Sequence, residues 1–141
     1  MYFDTSAIVP VVIEEPSSIV ASRLWDEADR VVSSRLVYAE GRAALAMARR
    51  LDRIDERGLR EAVDDFESLH DQLDVIEITA GLIREAGGLA EQLSLRGFDA
   101  VHLASARLVD DPEMVLAAGD QSLLAAARVV GLATADLTRP A

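Results

Sequence analysis

Met114-Val115-Leu116-Ala117-Ala118-Gly119-Asp120-Gln121-Ser122-Leu123 is an apolar run closed by a glycine and an acid, and it leads straight into a helix-forming segment. The N-terminus repeats the order: Met1-Tyr2-Phe3, then Asp4, Thr5 and Ser6, then Ala7-Ile8. An apolar strand, an acid, a polar residue and a helix make the opening of a parallel α/β unit, because parallel strands need a crossover, usually helical, between them. The segments between these two stretches alternate in the same way. Helical apolar spacing marks Ser17–Ala28, Leu36–Leu51 and Asp55–Leu73. Thr79 caps a further helix running to about Leu95, Gly97 breaks it, and Asp99 opens another through Leu108. Short β-branched or apolar runs at Val31-Val32, Val75–Ile78 and Leu132–Ala135 supply the other strands, and Gln121–Val130 is the last helix. The expectation is a three-layer α/β domain with a parallel, about five-stranded sheet flanked by helices.

The chain has 141 residues, half of them apolar, with no cysteine and a formal charge of −11. Single domains cluster near 100–150 residues, so residues 1–141 read as one domain. Absent cysteine removes disulfides, thiol catalysis and Cys-ligated zinc. All 14 basic residues are arginine, which removes every mechanism that needs an amine, including a P-loop lysine or a Schiff base. The acidic balance argues against an ordinary basic nucleic-acid surface and fits a basic partner, a metal ion or, by default, plain solubility. No apolar run of 18 residues is present, and Met1-Tyr2-Phe3-Asp4 lacks the basic start of a signal peptide, so the reading is cytoplasmic, without a membrane.

Most of the 25 acids lie on solvated helix faces; four do not. Asp4 and Asp120 end strands, and ligands of parallel sheets bind outside the carboxyl ends of strands. Asp99 stands at a helix start. Glu40 falls on a stripe with Val37, Ala44, Met47 and Leu51, where a carboxylate is costly unless it is paired with an arginine such as Arg35 or Arg42, or bound to a cation. Each acid alone can be explained by a cap or an ion pair. Together they make a pattern that a parallel sheet can gather at one edge, where mutual repulsion would be on the order of 4 kcal/mol per pair at 4 Å with an effective dielectric near 20. A divalent cation relieves that repulsion, and an all-oxygen donor set selects Mg²⁺ or Mn²⁺. His102, one turn beyond Asp99, reads as a packed or supporting histidine rather than a general base, and His70 as a surface residue. Trp25 fits an inner helix face or a partner surface.

Four stretches resemble a known family: Met1–Ile8, Val37-Tyr38-Ala39-Glu40-Gly41-Arg42-Ala43-Ala44-Leu45, Gly97-Phe98-Asp99-Ala100-Val101-His102-Leu103-Ala104-Ser105-Ala106, and Ala118-Gly119-Asp120-Gln121-Ser122-Leu123. They look like the motifs of the PIN domain, and within it of the VapC toxins of bacterial type II toxin–antitoxin modules. The resemblance runs from Asp4 to the last predicted strand. It implies a five-stranded parallel sheet between helices, a homodimer, and Mg²⁺- or Mn²⁺-dependent cleavage of RNA leaving a 5′-phosphate and a 3′-hydroxyl. It implies Asp4, Glu40, Asp99 and Asp120 as the catalytic acids, with Asp4 and Asp99 as the principal metal ligands. Glu40 and Asp120 would complete the pocket, and Thr5 or Ser6 would orient Asp4 or touch the substrate. The implied partner is a small VapB-type antitoxin whose basic C-terminal segment wraps the toxin, with Ser17–Ala28 and Leu36–Leu51 as docking surfaces. Two departures stand out. Ala118 occupies a position where many relatives carry Thr or Ser, and Val9-Pro10-Val11-Val12 stands where a lysine often follows the first motif. The competing readings are an inert PIN-like binding module and a PIN nuclease acting in RNA processing or on DNA. A phosphotransfer domain built on Asp4 is disfavoured, because the chain has neither a lysine nor an Asp-x-Asp motif there.

Overall fold

The structure is a computed structural model describing residues 1–139. Strands β1 (Tyr2–Phe3), β2 (Val32–Ser34), β3 (Asp74–Ile76), β4 (Val115–Ala118) and β5 (Ala133–Asp136) form a single sheet in the order β3-β2-β1-β4-β5. Every neighbouring pair is parallel, with Tyr2 opposite Val32 on one side and Leu116 on the other. Helices α1 (Thr5–Val12) and α2 (Ser18–Glu27) follow β1, and α3 (Leu36–Arg50) and α4 (Glu56–His70) follow β2. Helices α5 (Ala80–Leu93) and α6 (Gly97–Leu108) follow β3, and α7 (Gln121–Val129) joins β4 to β5. The chain winds outward from β1 to β3, then returns to lay β4 beside β1. The β1/β4 boundary is therefore the switch point of the sheet, where a crevice opens beyond the strand ends. Asp4 and Asp120 stand at that crevice.

Period-two alternation divides the strands between two cores. Tyr2, Val32, Leu116 and Ala118 pack with α5, α6 and α7. Phe3, Val31 and Ala117 pack with α1 to α4. A parallel sheet covered on both faces is what makes its strands read as continuous apolar runs. Trp25 lies on the inner side of α2, edge-on to Phe3 with ring centroids 5.8 Å apart. Helix α3 crosses α4 at Gly41, where a Cβ would fall 2.4 Å from the buried Phe66 ring. None of the helices described is long and apolar enough to cross a membrane.

Three local details differ from the sequence expectation. Helix α1 extends to Val12 although Ile8-Val9-Pro10-Val11-Val12 has poor helix propensity; burial of Ala7, Ile8, Val9 and Pro10 outweighs it. Helix α6 begins at Gly97, not Asp99, with extended Arg96 before it, so Asp99 is a first-turn residue and not a cap. The buried stripe of α3 is Val37, Gly41, Leu45 and Ala48, while Met47 and Leu51 are 47% and 61% exposed. The stripe is rotated because Gly41 admits Phe66, which turns the inner face away from Met47 and Leu51.

Candidate active site

Asp4 is the last residue before α1, and its extended backbone lets the side chain cap that helix. Oδ1 accepts from the Ala7 N–H at 3.0 Å and from the Ser6 hydroxyl at 2.7 Å. Ser6 Oγ in turn accepts from the Gly119 N–H at 2.7 Å, which ties the β1–α1 turn to the β4–α7 turn. Asp4 is only 5% exposed, all its bonded donors are neutral, and Oδ2 accepts nothing among the described residues. Burial drives its carboxyl up to about 6, with Glu40 adding to the rise; His102, Ser6 and Ala7 pull the other way.

Glu40 sits in the second turn of α3, at the margin of the buried stripe. Its Oε1 accepts from Thr5 Oγ1 at 2.8 Å and lies 2.6 Å from His102 Nε2, leaving Oε2 without a protein donor among the described residues. Burial pushes the Glu40 carboxyl up, but the His102 and Thr5 bonds outweigh it, so it titrates below the usual range. A carboxylate only accepts, so Nε2 carries the shared proton. In the neutral ring Nδ1 then accepts from the Tyr2 hydroxyl, 2.8 Å away. His102 is 2% exposed and edge-on to the Tyr2 ring. The arginines weighed as partners of Glu40 go elsewhere: Arg35 pairs with Glu77, and Arg42 with Glu67.

Asp99 and Asp120 form a second group. Asp120 caps α7 by accepting from the Leu123 N–H through Oδ1 at 3.0 Å. Its Oδ2 accepts from Arg96 Nη2 at 3.0 Å, and the same guanidinium reaches Asp99 Oδ2 through Nε at 3.1 Å. The two carboxylates are 17% and 28% exposed, and Arg96 is 80% exposed.

Residues 1–132 match the model of a family described as PIN domain. The chain belongs to the PIN-domain family. Ribonuclease VapC49 of Mycobacterium tuberculosis is 45% identical over 131 residues, covering 93% of this chain and 91% of the relative. That places this PIN domain in the VapC type. The crystal structure of Mycobacterium tuberculosis VapC20, a Sarcin-Ricin loop cleaving toxin, superposes with a TM-score of 0.68 at 22% identity, covering 89% of this chain and 93% of that one. VapBC2 from Rickettsia felis, bound to a DNA fragment from its promoter, gives 0.65 at 16% identity with 96% of each chain covered. Both show the shared fold.

In this PIN domain the four acids share the carboxyl edge but divide into two bonded groups. Asp4 is held by Ser6 and the Ala7 N–H, Glu40 by Thr5 and His102, and Asp99 and Asp120 by one guanidinium. Among the described residues no three acid or histidine side chains close tightly enough to enclose a metal ion. The donor chemistry nevertheless fits a hard divalent cation: all candidate atoms are carboxylate oxygens, and among the described residues buried Asp4 has no cationic partner and keeps an unbonded oxygen. Sequence reading missed two members of the site. Arg96 was visible only as an i,i+3 partner of Asp99, a spacing that is common on ordinary helix surfaces. Tyr2 reads as plain core, and its hydroxyl finds His102 only through the β1–α6 contact.

Proposed function

We propose that this chain is the toxin of a type II toxin–antitoxin pair, an endoribonuclease that cuts RNA with Mg²⁺ or Mn²⁺. The observation that carries the reading is Asp4: a carboxylate buried at the β1/β4 crevice, bonded only to neutral donors, with one oxygen turned to no protein partner. The 45% identity to a named VapC ribonuclease supports the chemistry. Asp4 and Asp99 would hold the cation, with Glu40 and Asp120 completing the pocket. A bound divalent cation supplies Lewis acidity, acidifying water and offsetting charge on the scissile phosphate.

The chain's own residues do the rest. Ser6 and the Ala7 N–H hold Asp4 through Oδ1, which leaves Oδ2 without a donor among the described residues. Thr5 and His102 hold Glu40 ionised through Oε1, which leaves Oε2 to accept a proton from an attacking water. No side-chain nucleophile is required. The products of this reading are a 5′-phosphate and a 3′-hydroxyl, formed in the cytoplasm by a homodimer. The partner is a small antitoxin whose basic C-terminal segment places an arginine among the acids; a guanidinium suits that position because it binds carboxylates through two parallel bonds. The solved VapBC2 complex, a toxin fold with its antitoxin, supports that partnership.

Incubation of single-stranded RNA with wild type, Asp4→Asn and Asp99→Asn in Mg²⁺ or Mn²⁺ tests the proposal. Cleavage should fall by roughly two orders of magnitude or more in each variant, and a chelator should stop the wild type. Full activity in both variants would overturn it.

A further inference from the structure

The four acids are held by two different means. Glu40 is held by Thr5 and buried His102, and Asp4 by Ser6 and a backbone N–H; these donors are fixed by packing. Among the described residues, Asp99 and Asp120 are held by Arg96 on their Oδ2 atoms, with the Leu123 cap on Asp120 Oδ1 besides. Arg96 is the exposed party. Buried Leu95 precedes it in the chain, and the Arg96 side chain is 80% exposed with no bond except to these two carboxylates among the described residues. One positive charge stands against two negative ones, so the pair still attracts a further cation.

On the reading of the site as a metal-dependent ribonuclease centre, we infer that Arg96 is an exchangeable counter-ion: it neutralises Asp99 and Asp120 in the free protein and passes to an RNA phosphate when a divalent cation takes its place. The geometry supports both halves. The guanidinium makes 3.1 Å and 3.0 Å bonds to one oxygen of each carboxylate that the metal reading also uses, so its charge and the cation's compete for the same pair. Once released, the side chain stands at the rim of the crevice, where the scissile phosphate must approach. A guanidinium fork matches phosphate as well as carboxylate. Arg96 thereby couples the two ligands. Divalent cation frees the arginine for RNA, and RNA draws the arginine from the acids, so each tightens the other by the same factor. The coupling also gives the acidic chain a phosphate contact that net charge denies it. This makes Arg96 a binding and positioning residue for the substrate.

The test is calorimetric titration of MgCl₂ into the full chain, as wild type, Arg96→Gln and, for comparison, Arg57→Gln on the outer face of α4. It is paired with binding of a 2′-deoxy-substituted single-stranded RNA analogue with and without Mg²⁺. Arg96→Gln should bind Mg²⁺ roughly five- to tenfold more tightly than wild type in the absence of RNA, bind the analogue more weakly, and lose the Mg²⁺-dependent gain in analogue affinity. Arg57→Gln should match wild type, and Arg96→Lys should fall between, since it keeps the charge and loses the fork. If wild type binds Mg²⁺ and Arg96→Gln binds it equally or more weakly, the exchange is wrong and the metal site stands. If neither protein takes up Mg²⁺, the metal-site reading and the exchange both fall. Because Arg96 is exposed, the variant fold is readily confirmed by its melting temperature.

Discussion

The Asp4 carboxyl carries a stability signature of its own. Its value is raised from 3.8 to about 6 in the folded protein, chiefly by burial. A raised carboxyl contributes stability that is fully present below the unfolded value near 4 and is lost as pH rises through 6. Ionised Asp4 therefore costs the metal-free protein on the order of 3 kcal/mol at pH 7.5. Asp4→Asn should melt above wild type at pH 7.5, and the gap should close between pH 6 and pH 4 in chelator-treated samples. A gap that does not change with pH would refute this assignment. Tyr2→Phe tests the supporting chain. It strands His102 Nδ1 in a buried site, at a cost of about 1–3 kcal/mol read from urea denaturation. The individual acids were legible in the sequence because strand-end and stripe positions are odd places for carboxylates. Their bonding was not: the donors to Glu40 come from Thr5 and His102, 35 and 62 residues away.

Among the elements, α3 shows how a helix can be foreseen and its inner face misjudged. Ala-rich Leu36–Leu51 predicts the helix correctly, but spacing alone set Met47 and Leu51 on the stripe with Glu40. The actual face is chosen by the close pass of Phe66 over Gly41, a contact between α3 and α4 that no local pattern encodes. Gly41→Ala should destabilise the fold by about 1–3 kcal/mol, since Phe66 is fully buried and its ring is flanked by those of Tyr38 and His70. A urea midpoint unchanged by this substitution would show that the α3–α4 pass is looser than described. Helix α6 teaches the complementary lesson. Gly97 reads as a breaker, yet it opens the helix, because an extended Arg96 before it already supplies the turn. That shift of two residues moves Asp99 from cap to first turn, and leaves its carboxylate free for Arg96.

At the scale of the molecule, alternation of short apolar runs with helices made the five-stranded parallel sheet legible, and the strand order then locates the crevice. Parallel sheets hide their order from sequence because any outward or returning crossover has the same local pattern; only the packing of β4 against β1 reveals the switch point. The charge of −11 takes on a definite meaning in this frame. Many arginines are spent on surface pairs, among them Arg35–Glu77, Arg42–Glu67 and Arg107–Glu85, so few remain for a phosphate track. RNA binding in Mg²⁺ should therefore weaken only gently with salt. A log–log slope shallower than roughly −2 corresponds to about three phosphate contacts or fewer on a single strand. A slope of about −4 would indicate a basic track that the structure does not display. The central claim, that the acids of the β1/β4 crevice form an RNA-cutting centre, is tested most directly by sequencing 5′-phosphate ends in total cellular RNA after expression of wild type beside Asp4→Asn. New, recurrent cleavage ends should appear with wild type and vanish with Asp4→Asn at equal protein levels; the same ends at equal abundance in both would contradict it.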